Sequence, residues 1–205
     1  MILTPEQATS WAWAAWLLSW MAASLWRRRA VQRAGLGAEA LHWSITIAGV
    51  FLLVATHRAL DGSGRQVARS HLIQTAAIQL WTVSDSVGWV LFGLSLVGFA
   101  FCWWARIHLG ALWSGSVTVK ADHKVIDTGP FRLVRHPIYT GFIWAALCMA
   151  ILRGTAVNFA GLVLIVFGFW LKARLEERFL REQLGAEAYD AYARRTPMLV
   201  PRLGL

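Results

Sequence analysis

Five apolar runs, almost free of charged residues, dominate this chain of 205 residues. A helix that crosses the roughly 30 Å hydrocarbon layer of a bilayer needs about 20 mostly apolar residues. The runs cover residues 9–26, 41–60, 87–105, 138–152 and 156–173. We therefore expect an all-α, polytopic integral membrane protein with about five transmembrane helices.

The composition supports a membrane protein and excludes two other classes. Charged residues make up 15% of the chain and hydrophobic residues 57%, whereas a soluble domain carries about 25% charged residues. A disordered chain would need low hydrophobicity. The net charge of +9 could indicate nucleic acid, but no basic stripe is interleaved with exposed aromatic residues. We therefore expect no nucleic-acid partner.

The distribution of Lys and Arg predicts the orientation. Nearly all lie in residues 27–40, in residues 106–137 and after residue 171; the exceptions are Arg58, Arg65, Arg69 and Arg153. Basic residues accumulate in cytoplasmic loops. We expect an N-terminus outside and a C-terminus in the cytoplasm. The Ala- and Arg-rich usage favours a bacterial inner membrane.

The segments between and after the spans complete this topology. Residues 71–81 are apolar but too short to cross, which favours an interfacial or re-entrant piece. Residues 176–195 carry apolar residues at helical spacing among charges, which predicts an amphipathic helix on the cytoplasmic face, broken at Gly185. We divide the chain into N-terminal spans, residues 1–105, and a candidate catalytic region, residues 106–205.

The first candidate for chemistry is Arg135-His136-Pro137-Ile138-Tyr139. Proline suits the first turn of a helix and disfavours helix in the residue before it. His136 should therefore lie at the entrance of the fourth span, where the first backbone N–H groups can bind an anionic group such as a carboxylate. The alternative is a Pro-capped span with interfacial Arg, His and Tyr side chains.

The second candidate is the acidic pair Glu176-Glu177, which follows Lys172 and Arg174. Both candidates flank the hairpin of the last two spans and should meet at one membrane face. The alternative is surface pairing of Glu177 with Arg181, four residues along the helix. The six His are scattered, and no HxxxH or CxxC motif occurs, so we predict no metal site.

These residues resemble the isoprenylcysteine carboxyl methyltransferase family of integral-membrane enzymes, in particular its short bacterial members. The resemblance runs from about Leu109 to Leu203. It rests on an ordered set of motifs: Leu109-Gly110, Trp113-Ser114, His123-Lys124-Val125-Ile126, Gly129-Pro130-Phe131, Arg135-His136-Pro137-Ile138-Tyr139, Gly141, Glu176-Glu177, Leu184-Gly185, Tyr189, Tyr192 and Pro201.

The resemblance implies S-adenosylmethionine as the methyl donor. Its contacts would be His123, Lys124, Val125, Ile126, Phe131, His136, Pro137, Ile138, Tyr139 and Glu176. Two residues depart from the family pattern. Phe131 replaces the usual Tyr, and Lys172 replaces a substrate-facing Arg, so that the two-pronged contact of Arg with a carboxylate is lost.

The predicted function is methylation of a hydrophobic acceptor dissolved in the membrane, most simply carboxyl methylation of a prenylcysteine-like substrate. A carboxylate acceptor is already ionised at neutral pH and needs a cation, for which Arg135, Lys172 and Arg174 are candidates. An amine or thiol would need a base such as Glu177 or His136. The alternatives are a phospholipid N-methyltransferase, an NADPH-dependent reductase and a non-enzymatic membrane adaptor. The acceptor and the oligomeric state stay open.

Overall fold

The computed structural model describes residues 3–25, 32–33, 36–54, 59–60, 66–67, 78–113, 118–119 and 125–202. The described chain is built from helices, as predicted. They are α1 (Pro5–Ser24), α2 (Leu36–Val54), α3 (Asp85–Leu109), α4 (Pro137–Arg153), α5 (Ala156–Leu184) and α6 (Ala186–Arg195). Short 3₁₀ turns occupy Gly110–Leu112 and Gly129–Arg132.

Two short strand pairs depart from a purely helical chain. β1 (Gln32–Arg33) pairs antiparallel with β4 (Thr118–Val119), and β2 (Ala59–Leu60) pairs antiparallel with β3 (Gln66–Val67). Each strand has two residues, and all four lie in connections between helices. Alternation over two residues leaves no periodic signal, so the sequence could not predict them.

Local chemistry sets the helix boundaries. Thr4 and Gln7 form a reciprocal capping box at the start of α1. α4 begins at Pro137 with His136 as its N-cap residue, as predicted, and ends at Gly154, whose φ of 61° is left-handed. α5 runs without a break well beyond residue 173, where the predicted span ended. The break comes at Gly185, with φ 94°.

Glycines bring the main helix pairs into backbone contact. α3 packs along α4, and α2 packs along α5. A Cβ atom on Gly98 would lie 2.6 Å from the carbonyl oxygen of Gly141, and a Cβ on Gly49 would lie 2.7 Å from that of Gly161. Small residues permit this close approach, which is a common way for apolar helices to associate.

The remaining contacts define two opposite ends of the bundle. At one end the Arg153 side chain, on the last residue of α4, donates a 2.7 Å hydrogen bond to the carbonyl of Leu53 near the end of α2. At the other end Arg106, near the end of α3, donates a 2.7 Å bond to the carbonyl of Ala23 near the end of α1. Consecutive long helices therefore run in alternating directions.

Within the described residues, two helices are long and apolar enough to cross a membrane by length and composition, Asp85–Leu109 and Ala156–Gln183. Glu39–Val54 and Pro137–Arg153 are shorter apolar helices. Most of the predicted interfacial piece, residues 71–77, lies outside the described residues. The end of that piece, residues 78–81, is not helical, and Gln79 forms a β-bridge with Thr155.

Candidate functional site

The two adjacent acids, Glu176 and Glu177, face different neighbours in the last third of α5. The Tyr139 hydroxyl donates a 2.7 Å hydrogen bond to Glu176 Oε1, and Lys172 Nζ lies 4.0 Å from the same oxygen. Arg135 Nε donates a 2.8 Å hydrogen bond to Glu177 Oε1. Successive helical residues differ in direction by about 100°, so the two carboxylates have separate surroundings.

His136 joins the two acids. Its Nδ1 lies 3.4 Å from Glu176 Oε2, and its Nε2 lies 3.1 Å from Glu177 Oε1. A protonated imidazole has an N–H on both nitrogens and can donate to both carboxylates. Burial alone would lower the pKa of His136, but the hydrogen bonds and negative charges of Glu176 and Glu177 outweigh it and raise that pKa. The site therefore favours the charged ring.

Three rings form a stack beside the acids. The His136 and Tyr139 rings are 5.2 Å apart and inclined by 4°, and the Tyr139 and Phe169 rings are 4.7 Å apart and inclined by 10°. The Lys172 ammonium lies 5.3 Å from the centroid of Tyr139 and 5.1 Å from that of Trp43. Aromatic faces attract cations, so carboxylates and ring faces together suit a positively charged ligand.

The C-terminal strap, residues 196–199, crosses the entrance of α4. The Arg135 backbone N–H donates a 2.8 Å hydrogen bond to the carbonyl of Pro197, and the His136 backbone N–H donates a 3.1 Å bond to that of Met198. These bonds satisfy donors that lie before the first helical turn and have no partner within the helix. The strap thereby closes one side of the candidate site.

The Arg135 guanidinium holds the same region from its side chain. Besides the Glu177 carboxylate, it contacts the backbone carbonyl of Ala193 at 3.0 Å and that of Thr196. Burial alone would lower the pKa of Arg135. The hydrogen bond and the negative charge of Glu177 outweigh burial, so the net effect is to raise that pKa. Arg135 is therefore fully charged and fastens the end of α6 to the start of α4.

Glu177 does not form the surface pair with Arg181 that the sequence left open. The Arg181 guanidinium instead makes two 2.8 Å hydrogen bonds to the Asp190 carboxylate. Arg181 lies on α5 and Asp190 on α6, so this exposed pair spans the break at Gly185. Glu177 is directed inward to Arg135 and His136 because α5 packs against the entrance of α4 on that face.

The Gly129–Arg132 turn brings Phe131 close to the tail. The Tyr192 hydroxyl donates a 2.7 Å hydrogen bond to the Phe131 carbonyl, and the Phe131 ring stacks on His108 with centroids 6.1 Å apart. Tyr189 and Tyr192 on α6 are buried. One face of the predicted amphipathic helix therefore packs on the protein's own chain.

The other predicted site residues differ in their placement. Pro137 is buried, and the carbonyl of Ile138 accepts a 3.2 Å hydrogen bond from Cys102 Sγ. Val125 and Ile126 are half-buried. His123 and Lys124 lie outside the described residues.

Arg174 is not brought to the cluster. It is exposed, and its guanidinium lies 5.7 Å from the Trp170 ring. It lies two residues from both Lys172 and Glu176, which places it on the opposite face of the helix. Helical geometry, not distance along the chain, removes Arg174 from the group that the sequence placed together.

Sequence reasoning missed three residues of this region, His42, Trp43 and Phe169. His42 is 2% exposed, and its ring lies 5.6 Å from that of Trp43. These residues belong to α2 and α5 and lie within apolar runs read only as spans. A histidine near the start of an otherwise apolar run was the one signal that could have indicated His42.

Comparison with known proteins finds a matching family model and several related proteins. The sequence model of the isoprenylcysteine carboxyl methyltransferase (ICMT) family matches residues 90–182. A Saccharomyces cerevisiae protein-S-isoprenylcysteine O-methyltransferase is 33% identical over 40% of this chain and 34% of its own length. A probable protein-S-isoprenylcysteine O-methyltransferase of Oryza sativa subsp. indica is 33% identical over 39% of this chain and 42% of its own length.

A bacterial relative carries a different name. A methanethiol S-methyltransferase from a Pseudomonas species is 31% identical over 64% of this chain and 53% of its own length. The alignments thus span between a third and about half of these relatives. The matched residues include α4 and most of α5, with Arg135, His136, Tyr139 and the acidic pair. The resemblance predicted from the sequence motifs is confirmed over residues 90–182, which match the sequence model of the isoprenylcysteine carboxyl methyltransferase family.

Proposed function

We propose that the protein is an integral-membrane methyltransferase that uses S-adenosylmethionine and acts on a lipophilic acceptor. The observation that carries this proposal is the buried cluster of Glu176, His136, Tyr139 and Lys172 at one end of the bundle, within the region that matches the family. A merely structural ion pair would not need a stack of rings and a buried ammonium beside the same carboxylate.

The alternating helices support a five-span arrangement. α1 to α5 run in alternating directions, and the contact of Arg153 with Leu53 lies at the opposite end from that of Arg106 with Ala23. With the N-terminus outside, the second end faces the cytoplasm, where Lys and Arg are concentrated. The candidate site then opens to the inner face of a bacterial inner membrane, between a soluble donor and an acceptor dissolved in the bilayer.

The residues present fit S-adenosylmethionine. Its ammonium requires an acid, for which Glu176 is a candidate, and its sulfonium favours ring faces such as Tyr139. Its carboxylate suits the first turn of α4, where Ile138 and Tyr139, but not Pro137, carry a backbone N–H. His136 helps to hold the Glu176 carboxylate in place through its 3.4 Å contact. When bound, this donor supplies an electrophilic methyl group on sulfur. The family resemblance adds Phe131, His123, Lys124, Val125 and Ile126 to the donor side.

The contacts separate two roles within the acidic pair. Glu177 is engaged by Arg135 at 2.8 Å and by His136 at 3.1 Å, so its negative charge is already matched and it is poorly placed to act as a base. We assign Glu177 and Arg135 to positioning, because they hold His136 and the C-terminal tail. Glu176, which accepts the Tyr139 hydroxyl beside the ring stack, is assigned to the donor.

Lys172 favours an anionic acceptor. Its side chain is 8% exposed and its ammonium lies over the Trp43 and Tyr139 rings. A carboxylate or a thiolate would be attracted to this charge, whereas the amine of a phospholipid would gain nothing from it. Carboxyl methylation of a prenylcysteine-like molecule is the first candidate. The name of the Pseudomonas relative makes a thiol the second.

Glu176→Gln tests the proposal, with Glu182→Gln as the matched control on the exposed end of α5. We expect the Glu176 variant to bind S-adenosylmethionine at least tenfold more weakly in detergent calorimetry, because a charged hydrogen bond contributes about 1.5–3 kcal/mol. The Glu182 variant should bind like the wild type. Equal affinities for all three proteins would contradict the assignment, and a wild type that binds no donor would contradict the function.

A further inference from the structure

His42 carries a buried nitrogen that the described structure leaves without a partner. The side chain lies within α2 and is 2% exposed, and its Nε2 has no hydrogen-bond partner among the described residues. An unsatisfied buried polar atom destabilises the folded state, because it has lost its hydrogen bonds to water. Such an atom calls for an explanation, and one explanation is a bound group that completes its hydrogen bond.

The packing of α2 on α5 places this nitrogen beside the candidate site. A Cβ on Gly168 would overlap Thr46 Oγ1 and would lie 3.3 Å from the His42 carbonyl oxygen, so these helices touch at that level. They run antiparallel, with Gly49 against Gly161 further along. One turn from Gly168 along α5 is Lys172, and one turn back from Thr46 along α2 is His42. The register therefore sets His42 opposite Lys172.

The electrostatics agree with this register. Both Lys172 and Glu176 exert Coulomb interactions on the His42 ring. The ring of Trp43, which lies 5.6 Å from His42, is also the ring under the Lys172 ammonium at 5.1 Å. His42 and Lys172 thus share one aromatic neighbour, on the side of Lys172 that faces α2 and away from the Glu177 contacts.

Resting on the proposed function, we infer that His42 binds the head group of the methyl acceptor. Its Nε2–H donates a hydrogen bond to an anionic carboxylate that is paired with the Lys172 ammonium, which lies over the neighbouring Trp43 ring. His42 is thereby a specificity residue. It distinguishes an acid from its neutral analogue by a contact on α2, outside the segment that matches the family.

The test compares binding of an acid and its amide. N-acetyl-S-farnesylcysteine and its primary carboxamide are titrated into wild-type protein, His42→Phe, His42→Gln and the control Ser44→Ala, which changes an exposed residue on the same helix. We expect wild type and Ser44→Ala to bind the acid at least tenfold more tightly than the amide. His42→Phe should lose most of this preference. His42→Gln, which keeps a donor near the position of Nε2, should restore part of it.

The readouts separate this inference from the proposed function. Donor affinity is measured for each variant, and it should stay within twofold of wild type because, among the described residues, the His42 ring makes no hydrogen bond to Glu176. Equal acid preference in wild type and His42→Phe would overturn the inference, as would wild-type protein with no preference. Parallel loss of donor and acceptor binding in both His42 variants would show a structural role and would also overturn it. A wild type that prefers the acid but binds no donor would support the inference and contradict the methyltransferase proposal.

Discussion

Replacing Arg135 by Met should release the end of the chain while leaving the helix bundle assembled. The Met side chain keeps most of the apolar stem and removes the guanidinium. In the wild type that guanidinium pairs with Glu177 at 2.8 Å and contacts the carbonyls of Ala193 and Thr196. The substitution leaves a buried carboxylate and two carbonyls without their cation.

The size of the effect follows from the burial of the pair. Removing one partner of a buried ion pair costs about 3–5 kcal/mol. The Arg135 and Glu177 side chains are 11% and 15% exposed, so water partly compensates, and we take the lower end, about 3 kcal/mol. Since about 1.4 kcal/mol is tenfold in an equilibrium constant, local opening of the tail should increase by about two orders of magnitude.

Hydrogen exchange read by mass spectrometry measures this opening peptide by peptide. In Arg135→Met, peptides covering residues 189–199 should exchange about a hundredfold faster, and peptides from α2 should exchange at the wild-type rate. Arg132→Met is the control, because Arg132 is an exposed residue in the same loop. Tail exchange within threefold of wild type, or equal acceleration in α2, would refute the reasoning.

Three further outcomes follow from the same contacts. Tyr139→Phe removes the 2.7 Å bond to Glu176 and keeps the ring stack; donor affinity by calorimetry should fall about tenfold, and an unchanged affinity would contradict the assigned contact. His136→Gln should lower the thermal unfolding temperature most below pH 6.5, the ordinary pKa of histidine. The loss should shrink as the pH rises through the raised pKa of His136, because only the charged ring binds both acids. A difference in unfolding temperature between variant and wild type that does not change with pH would argue against that charge. Gly98→Ala should destabilise the protein by about 1–3 kcal/mol, since its Cβ meets a backbone oxygen at 2.6 Å, while Gly93→Ala meets nothing within 4 Å and should be silent in the same thermal measurement.

Much of the fold could be predicted, because the sequence features that mark the helices and their ends are local. Apolar runs located the five long helices, Pro137 marked the start of α4, and Gly185 marked the end of α5. The β1–β4 and β2–β3 pairs could not be predicted, because each has only two residues per strand and β1–β4 also joins two distant connections. The length of α5 was underestimated, since a helix continues through charged residues when its far end packs on the protein.

The candidate site also had a part that the sequence could predict and a part that it could not. His136, Tyr139 and the acidic pair could be chosen from the sequence, because their motifs suggested the entrance of a helix and a site for a charged ligand. The separate environments of Glu176 and Glu177 could not, because neighbouring residues look equivalent until the helix face that each occupies is known. Arg174 was placed with Lys172 for the same reason, and the helical rotation sets it on the exposed face.

The sequence by itself determined the helical, apolar character of this protein, its resemblance to a family and the motif residues, since hydrophobic length, proline and glycine act locally along the chain. Only the tertiary structure decided that Arg135 pairs with Glu177 while it holds the tail, and that His42 on α2 lies opposite Lys172 on α5. Those relations join residues more than forty positions apart. They depend on which helix faces touch and in what register, which close glycine packing fixes and no local pattern encodes.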